Sequence, residues 1–545
     1  MVWLPNTPST WHYQISRDLL GGTMQVNDAN HSDEDRRLLA LGYKPQLSRV
    51  LGLFANFSVA FSYLSPMVGI YSLFALGLGT GGPAYVWLTW LPVLGMLFVA
   101  LIFGELASNY PVAGALYQYS KFSVNGGYGW FVGWFYGIAL LVTVASVDTG
   151  IVSYVTSLLQ NIFGWNLNPN SHFVILIVTV ILLGIQTFLN ITGAKVMGRV
   201  AQFGVYVELI GTIGVAIILG INGFHHGFSY LFTSQGVQNV KTNPLGLNFS
   251  GKWLTGSALI AVLAPVYIFY GFESAGDISE ETKEAGTMVP RSMRLALLYG
   301  GLTSFILTVG LLLAIPVKNG VAATINGGGV TYILGSLPQG IQDILLLLII
   351  IAFFSCGTSV QGAGARLAFS YARDKALPGS NWISKVDPRH KAPVNALIAG
   401  TAVTLAFVLL EFLSPKKNVH ILFFTYPANT NVLVSLVSFG VSGIYLSFLL
   451  TVIGSAIARR RGWVPAGKFT LGKWGWPVTV IALVYLALMF VNIILPTGLT
   501  SPRGYFNLDW ITFIVMALIA IVGGIYFAVA RPDKALKELD TTEAR

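Results

Sequence analysis

The chain has 545 residues, 54% of them hydrophobic and only 10% charged, with a mean hydropathy of +0.68. Soluble domains carry about 25% charged residues, so this composition excludes an ordinary soluble domain and describes a polytopic membrane protein. The net charge of +10 would suit a nucleic-acid partner in a soluble chain, but its placement along the sequence assigns it to membrane orientation instead.

Residues 1–44 hold no basic stretch followed by an apolar one, so no cleaved signal peptide is expected. They read as a polar cytoplasmic tail, with Asp33-Glu34-Asp35-Arg36-Arg37 as a solvated charge run. Apolar segments long enough to cross a bilayer, which takes roughly 20 residues, then follow at about 52–78, 85–107, 128–158, 172–191, 201–221, 255–279, 293–316, 341–371, 394–413, 430–457, 477–496 and 510–530. They are numbered here as spans one to twelve. Residues 531–545 form a second tail. An even number of crossings puts both termini on one side. If that side is the cytoplasm, 26 of the 32 Lys and Arg residues fall in inner segments and 6 in outer loops. The positive-inside rule therefore predicts cytoplasmic termini. Trp87, Trp90, Trp130, Trp134, Trp253, Trp474, Trp476 and Trp510 cluster near predicted span ends, where interfacial belts lie.

Two spans break the pattern. Span one contains Ser65-Pro66-Met67-Val68-Gly69, in which Pro66 withholds a backbone donor and Gly69 relaxes the chain. Span six carries Pro265 and then meets Gly271-Phe272-Glu273 before a crossing is complete. Irregular backbone at membrane depth is tolerated only inside protein or beside a water-filled cavity. A carboxylate there is costly and marks a functional site. Span one runs outward and span six inward, so five-span halves of about 50–222 and 253–458 are related by inverted topology, with spans eleven and twelve added. Broken segments at matching places in such halves point to a carrier's binding site. The fold expected is all-α, a twelve-helix transporter domain over residues 45–530.

Acidic residues within spans are few. Glu273 lies nearest mid-depth and suits an ammonium group or a coupling proton. Asp148, on a small-residue stretch of span three, could face the same cavity or be a hydrogen-bonded structural carboxylate. Glu105 reads as a gate or as the partner of a cytoplasmic-side arginine, and Glu208 as a proton-coupling candidate. Ser355, Thr358 and Ser359 share a face of span eight. They could offer oxygens to an ion or bond back to helix carbonyls. No metal, nucleophile or phosphate-loop motif is present: Gly77-Leu78-Gly79-Thr80-Gly81-Gly82 lacks the Lys-Ser/Thr of a phosphate loop, and His225-His226 is an isolated outer pair. The lone Cys356 excludes an intramolecular disulfide. No cofactor and no enzymatic activity are expected. An ion channel, the rival class, would need a continuous polar pore with filter rings, and acids scattered over different depths do not supply one.

Motifs spread over more than 300 residues resemble the amino acid–polyamine–organocation superfamily, particularly its amino acid, GABA and choline permeases. They are Gly104-Glu105-Leu106-Ala107-Ser108-Asn109-Tyr110-Pro111-Val112-Ala113-Gly114 after span two, Gly271-Phe272-Glu273 with Ser279-Glu280-Glu281-Thr282-Lys283, Pro290-Arg291, Arg366 with Ala372-Arg373-Asp374, and Ala392-Pro393-Val394-Asn395-Ala396. The resemblance implies two inverted five-helix repeats plus two helices, alternating access, and a solute held among spans one, three, six, eight and ten. Backbone at Ser65, Pro66, Met67, Val68 and Gly69 would receive a carboxylate or polar head, and Tyr270, Gly271, Phe272 and Glu273 an amine. Three positions depart from the family pattern: Met67-Val68-Gly69 stands where Gly-Ser-Gly is frequent, Glu208 where a span-five lysine is frequent, and Lys375 where glycine is usual. The expectation is a plasma-membrane carrier for a small amine-bearing solute such as an amino acid or GABA, coupled to H+ or Na+ or working by exchange. A choline- or polyamine-type carrier is the alternative. Its partners are the solute, the ion and the lipid bilayer, with no nucleic acid.

Overall fold

The computed structural model describes residues 32–234, 253, 257–317, 320–413, 417–421, 424–426, 432–495 and 510–533. Residues 1–31 and 534–545 of the two tails, and Lys241, Lys252, Lys318, Lys416 and Arg503 of the outer loops, lie outside them. Among the described residues ten helices are long and apolar enough to cross a membrane. The other two predicted crossings are shorter helices: Val394–Leu409, continued by a 3-10 turn to Leu413, for span nine, and a series of short pieces for span six. A two-stranded hairpin, Val419–Ile421 with Phe424–Tyr426, lies between spans nine and ten.

Counterpart spans of the two halves pack on one another: one on six, two on seven, three on eight and four on nine. Span three (Gly126–Gly150, continuing after a kink as Val152–Phe163) also packs along span ten (Val432–Arg460). Span eleven (Gly475–Ile494) lies on spans two and ten, while span twelve (Ile511–Ala530) touches spans ten and three and leaves most of its surface outward. Spans four and five likewise present Phe173, Phe188, Phe203 and Ile210 outward. In water such faces would be a liability; they accompany helices long and apolar enough to cross a membrane.

The inner end differs from expectation in one respect. Asp33-Glu34-Asp35-Arg36-Arg37 is not a solvated run but the start of a docked amphipathic helix, Asp33–Ala40, capped by Ser32. Leu38 and Glu34 are buried, Leu38 packs with Tyr43 and Val112, and Arg37 donates to the Ser108 carbonyl at 3.1 Å. Asp33 and Arg36 face outward, while Glu34 and Leu38 turn inward, which a charge count alone does not reveal.

Candidate functional site

Span one is two helices, Leu53–Leu64 and Pro66–Gly81, hinged on a single residue. Ser65 adopts a left-handed φ of 38°, unusual for a residue with a side chain. Pro66 then sits at the first helical position, where its missing N–H costs nothing. This corrects the expected five-residue unwound turn. Residues 66–69 already belong to the first turn of the outer half, and Gly69 serves packing: a methyl group on it would lie 2.4 Å from the Ile268 side chain of span six.

Span six is interrupted more widely than expected. Ser257–Ala261 and Leu263–Val266 give way to irregular chain from Tyr267 to Glu273, and the helix resumes only as Ser274–Asp277. Gly271 is the pivot, with a φ of 96°. An added Cβ there would meet the Tyr63 ring at 2.8 Å and the Leu64 backbone nitrogen at 2.9 Å. The two breaks therefore lie directly against each other.

The carbonyls freed by the breaks are taken up by neighbouring spans, as buried backbone groups must be. The Cys356 thiol of span eight donates to the Tyr63 carbonyl at 3.3 Å, and the Tyr445 hydroxyl of span ten to the Val266 carbonyl at 3.1 Å. The lone cysteine thus acts as a backbone clamp. Asn56 bridges the inner halves, donating to the Ala275 carbonyl at 3.0 Å and the Thr282 hydroxyl at 2.8 Å.

Glu273 is wholly enclosed. Its Oε2 accepts from the Gly271 N–H at 2.8 Å and its Oε1 from the Tyr136 hydroxyl at 3.3 Å, while the same hydroxyl lies 2.8 Å from Asp277 Oδ2. Tyr136 has one proton to give, so it serves one carboxylate at a time. The amine-receiving face expected at Tyr270 to Glu273 is thus closed on itself in this conformation. The Tyr270 ring packs edge-on against Tyr63, and the buried Phe272 ring lies against Phe103 and Phe448. The cavity formed by Ile70, Phe74, Pro265 and Ile268 lies beside the breaks but is not lined by Glu273.

Glu208 reaches the other break. Its Oε1 accepts from the Ser65 hydroxyl at 2.7 Å, and its Oε2 is buried without a hydrogen-bond partner among the described residues. Asp148 does not join this group: its Oδ1 accepts from Gln186 of span four at 2.7 Å, against Gly357 of span eight. Its Oδ2 is buried without a hydrogen-bond partner among the described residues. Glu105 accepts from Arg459 and, at 2.7 Å, from the Leu471 N–H, an inner-end pair. Thr358 bonds back to the Phe354 carbonyl at 2.8 Å, and Ser355 donates to Ser62 at 3.2 Å in the close approach that Gly204 permits. Ser359 Oγ is buried without a partner among the described residues.

Glu280, Glu281, Arg366, Arg373 and Asp374 belong to the motifs of the chain, but no local pattern assigns them a role. In the structure they form a cluster of buried ion pairs and hydrogen bonds. Arg366 makes two 2.9 Å bonds to Glu281, both side chains fully buried, and Arg373 grips Glu280 at 2.8 Å while stacking 4.0 Å over the Tyr43 ring. Asp374 accepts from Tyr117 at 2.7 Å, Tyr43 at 2.9 Å and Lys121 at 2.9 Å. The strand-like Leu51–Thr282 bridge ties the entry of span one to the exit of span six. Burial alone would raise the Asp374 carboxyl, but Lys121 and Arg373 outweigh it and hold the group below its ordinary value. Its stabilisation is therefore present above the usual carboxylate range and lost only as pH falls through that lowered value. Between pH 5 and 8 the bonds of Asp374 to Tyr117, Tyr43 and Lys121 are expected to hold unchanged, which the accessibility of a thiol introduced beside them would measure.

Against this geometry the comparisons are decisive. The family model described as amino acid permease matches residues 51–526. The chain belongs to the amino acid permease family. Similar proteins include the amino-acid permease BAT1 of Arabidopsis thaliana, 26% identical over 91% of this chain and 94% of the relative. The GABA-specific permease of Saccharomyces cerevisiae is 25% identical over 96% and 90%, and a putative polyamine transporter of Candida albicans 25% over 93% and 89%. The permease is thus an integral, multi-pass secondary transporter, as its motifs suggested, and the abutting breaks of spans one and six lie within the matched region.

Proposed function

We propose that this permease moves a small amine-bearing solute, an amino acid or a related amine such as GABA, across the plasma membrane by alternating access, with cytoplasmic termini and proton symport or exchange as the driving mode. The observation that carries this reading is the contact of the two breaks at Gly271, Tyr63 and Leu64, flanked by the carboxylates of Glu273 and Glu208. Helix ends and freed carbonyls at such a junction can be re-paired with a guest when the halves move apart. The latch of Glu281, Arg366, Glu280 and Arg373 is the natural inner gate, because it joins span six to span eight across the inner end. Residues 45–530 form the transporter domain, with the helix Asp33–Ala40 as a cap on its inner face. Saturable uptake with counterflow by the purified chain in proteoliposomes tests the reading, since a channel shows no counterflow.

Two variants locate the chemistry. Glu273→Gln keeps the shape but removes the charge that would meet an ammonium group. Uptake efficiency is expected to fall by at least tenfold with unchanged membrane insertion, and unchanged kinetics would remove Glu273 from the site. Glu208→Gln retains an acceptor for Ser65 but cannot carry a transferable proton. Uptake should lose most of its response to an imposed pH gradient, and full retention of that response would exclude Glu208 from coupling.

A further inference from the structure

Away from the junction of the two breaks, Asp148 and Gln186 form a second polar centre, and we infer that it is a proton-binding site set into the packing of spans three, four and eight. Both side chains are fully buried. Gln186 Nε2 donates to Asp148 Oδ1 at 2.7 Å. The other oxygen of each group, Asp148 Oδ2 and Gln186 Oε1, is buried without a hydrogen-bond partner among the described residues. Buried polar atoms of this kind call for an explanation. Both are acceptors, and each shares a carbon with one end of the 2.7 Å bond. One proton on Oδ2 serves them both. The acid then donates to the amide oxygen while the amide nitrogen donates to the acid carbonyl, the two-bond ring that a carboxylic acid makes with a primary amide. The same proton removes a charge that the membrane interior penalises.

A metal ion fits this centre poorly. Hard cations gather about six oxygens, and the oxygens around this pair are engaged or stand elsewhere. The Asp148 main-chain carbonyl accepts from Thr179 at 3.4 Å. Asn190 Oδ1, one turn along span four, lies 3.0 Å from where a methyl group on Gly362 would sit. Nor does a basic side chain neutralise Asp148. Arg366, roughly two and a half turns along span eight from Gly357, is bound to both oxygens of Glu281. Span nine, Val394–Leu409, carries no titratable residue, and span four only His172 at its first position. Tyr154 of span three turns to the Tyr71 carbonyl, Glu208 of span five to Ser65, and Tyr445 of span ten to the Val266 carbonyl.

Span eight transmits the occupancy of the site. A methyl group on Gly357 would sit 2.5 Å from Gln186 Nε2 and 2.7 Å from Asp148 Oδ1, so this glycine lies directly against the pair. The residue before it, Cys356, is the titratable group that span eight brings beside the pair, and its thiol donates to the Tyr63 carbonyl at the span-one break. When Oδ2 gives its proton to water, two lone-pair oxygens face each other and the ring opens. Gln186 then moves against Gly357, and the Cys356 clamp on span one loosens.

Infrared difference spectra of the full chain in liposomes, titrated with acid and base, read both ends of this path. A protonated carboxyl shows a carbonyl stretch that a carboxylate lacks. The S–H stretch belongs to Cys356 alone, the chain's one cysteine, and reports its bond to Tyr63. Asp148→Asn puts an N–H where the acid O–H stood and keeps the ring closed. In the wild type the Asp148 band and the S–H stretch are expected to change together as pH is raised. In Asp148→Asn that acid band should be missing and the S–H change at least fivefold smaller. Gln186→Leu keeps Asp148 but should displace its band, because the acid loses both bonds to the amide. An acid band undiminished by Asp148→Asn and unmoved by Gln186→Leu would overturn the proton site. An S–H stretch that follows pH equally in wild type and Asp148→Asn would overturn its link to span one. Loss of the wild-type acid band when sodium replaces potassium at constant pH would assign a metal ion and overturn the proton. None of these readouts involves transport, so a failure of counterflow would count against the carrier reading alone.

Discussion

Gly271→Ala is expected to abolish transport. Two separate physical costs fall on one methyl group. The backbone at Gly271 sits at a φ of 96°, a region that Cβ-bearing residues reach only with strain of about 1–3 kcal/mol. The Cβ would also lie inside van der Waals contact of the Tyr63 ring and of the Leu64 backbone nitrogen. The ring can swing away, but the backbone nitrogen cannot, so the two spans must separate. Overpacking of this kind costs about 1–3 kcal/mol more. The variant should insert and yet show less than a hundredth of wild-type uptake at matched protein, measured as initial rate in proteoliposomes. Gly52→Ala is the control: nothing lies within reach of its added methyl, and uptake should be unchanged. Normal uptake by Gly271→Ala would mean that the contact between the breaks has no part in transport.

Arg366→Ala should have the largest effect on stability. Glu281 and Arg366 are 1% exposed or less and pair through two bonds. Removing one member of a buried pair strands the other charge and costs about 3–5 kcal/mol. In detergent the variant is expected to unfold at a midpoint many degrees below wild type. The double variant Glu281→Leu with Arg366→Met removes both charges and should recover much of that loss while still failing to transport, because a gate must re-form its pair each cycle. Recovery of transport along with stability would make the pair a purely structural brace.

Much of this account is readable in the chain itself, and the reason is physical. Breaks at membrane depth need unusual residues, and Pro66, Gly271 and an acid at 273 stand out in an apolar run. The twelve crossings follow from length and hydropathy in the same way. What stayed hidden depends on direction or on distance along the chain. Asp148 lies at a suitable depth, but only the folded helix shows that it turns to Gln186. The residue that bends span one is Ser65, whose strain is stabilised by Glu208 from 143 positions away, so glycine and proline drew the attention instead. The inner latch joins Glu281 to a residue 85 positions on, a pairing that topology creates and no local pattern announces. At the amino end, five charges in a row concealed a helix whose inward face carries Glu34 and Leu38.

The abutting breaks of spans one and six are expected to hold the solute. Cys356 is the chain's only cysteine, and Cys356→Ser keeps a donor for the Tyr63 carbonyl, so a reporter thiol placed at Val68→Cys in that background reads the junction alone. Saturating transported solute is expected to slow modification of this thiol by a small reagent at least fivefold. An unchanged rate at concentrations that saturate uptake would place the solute away from this junction.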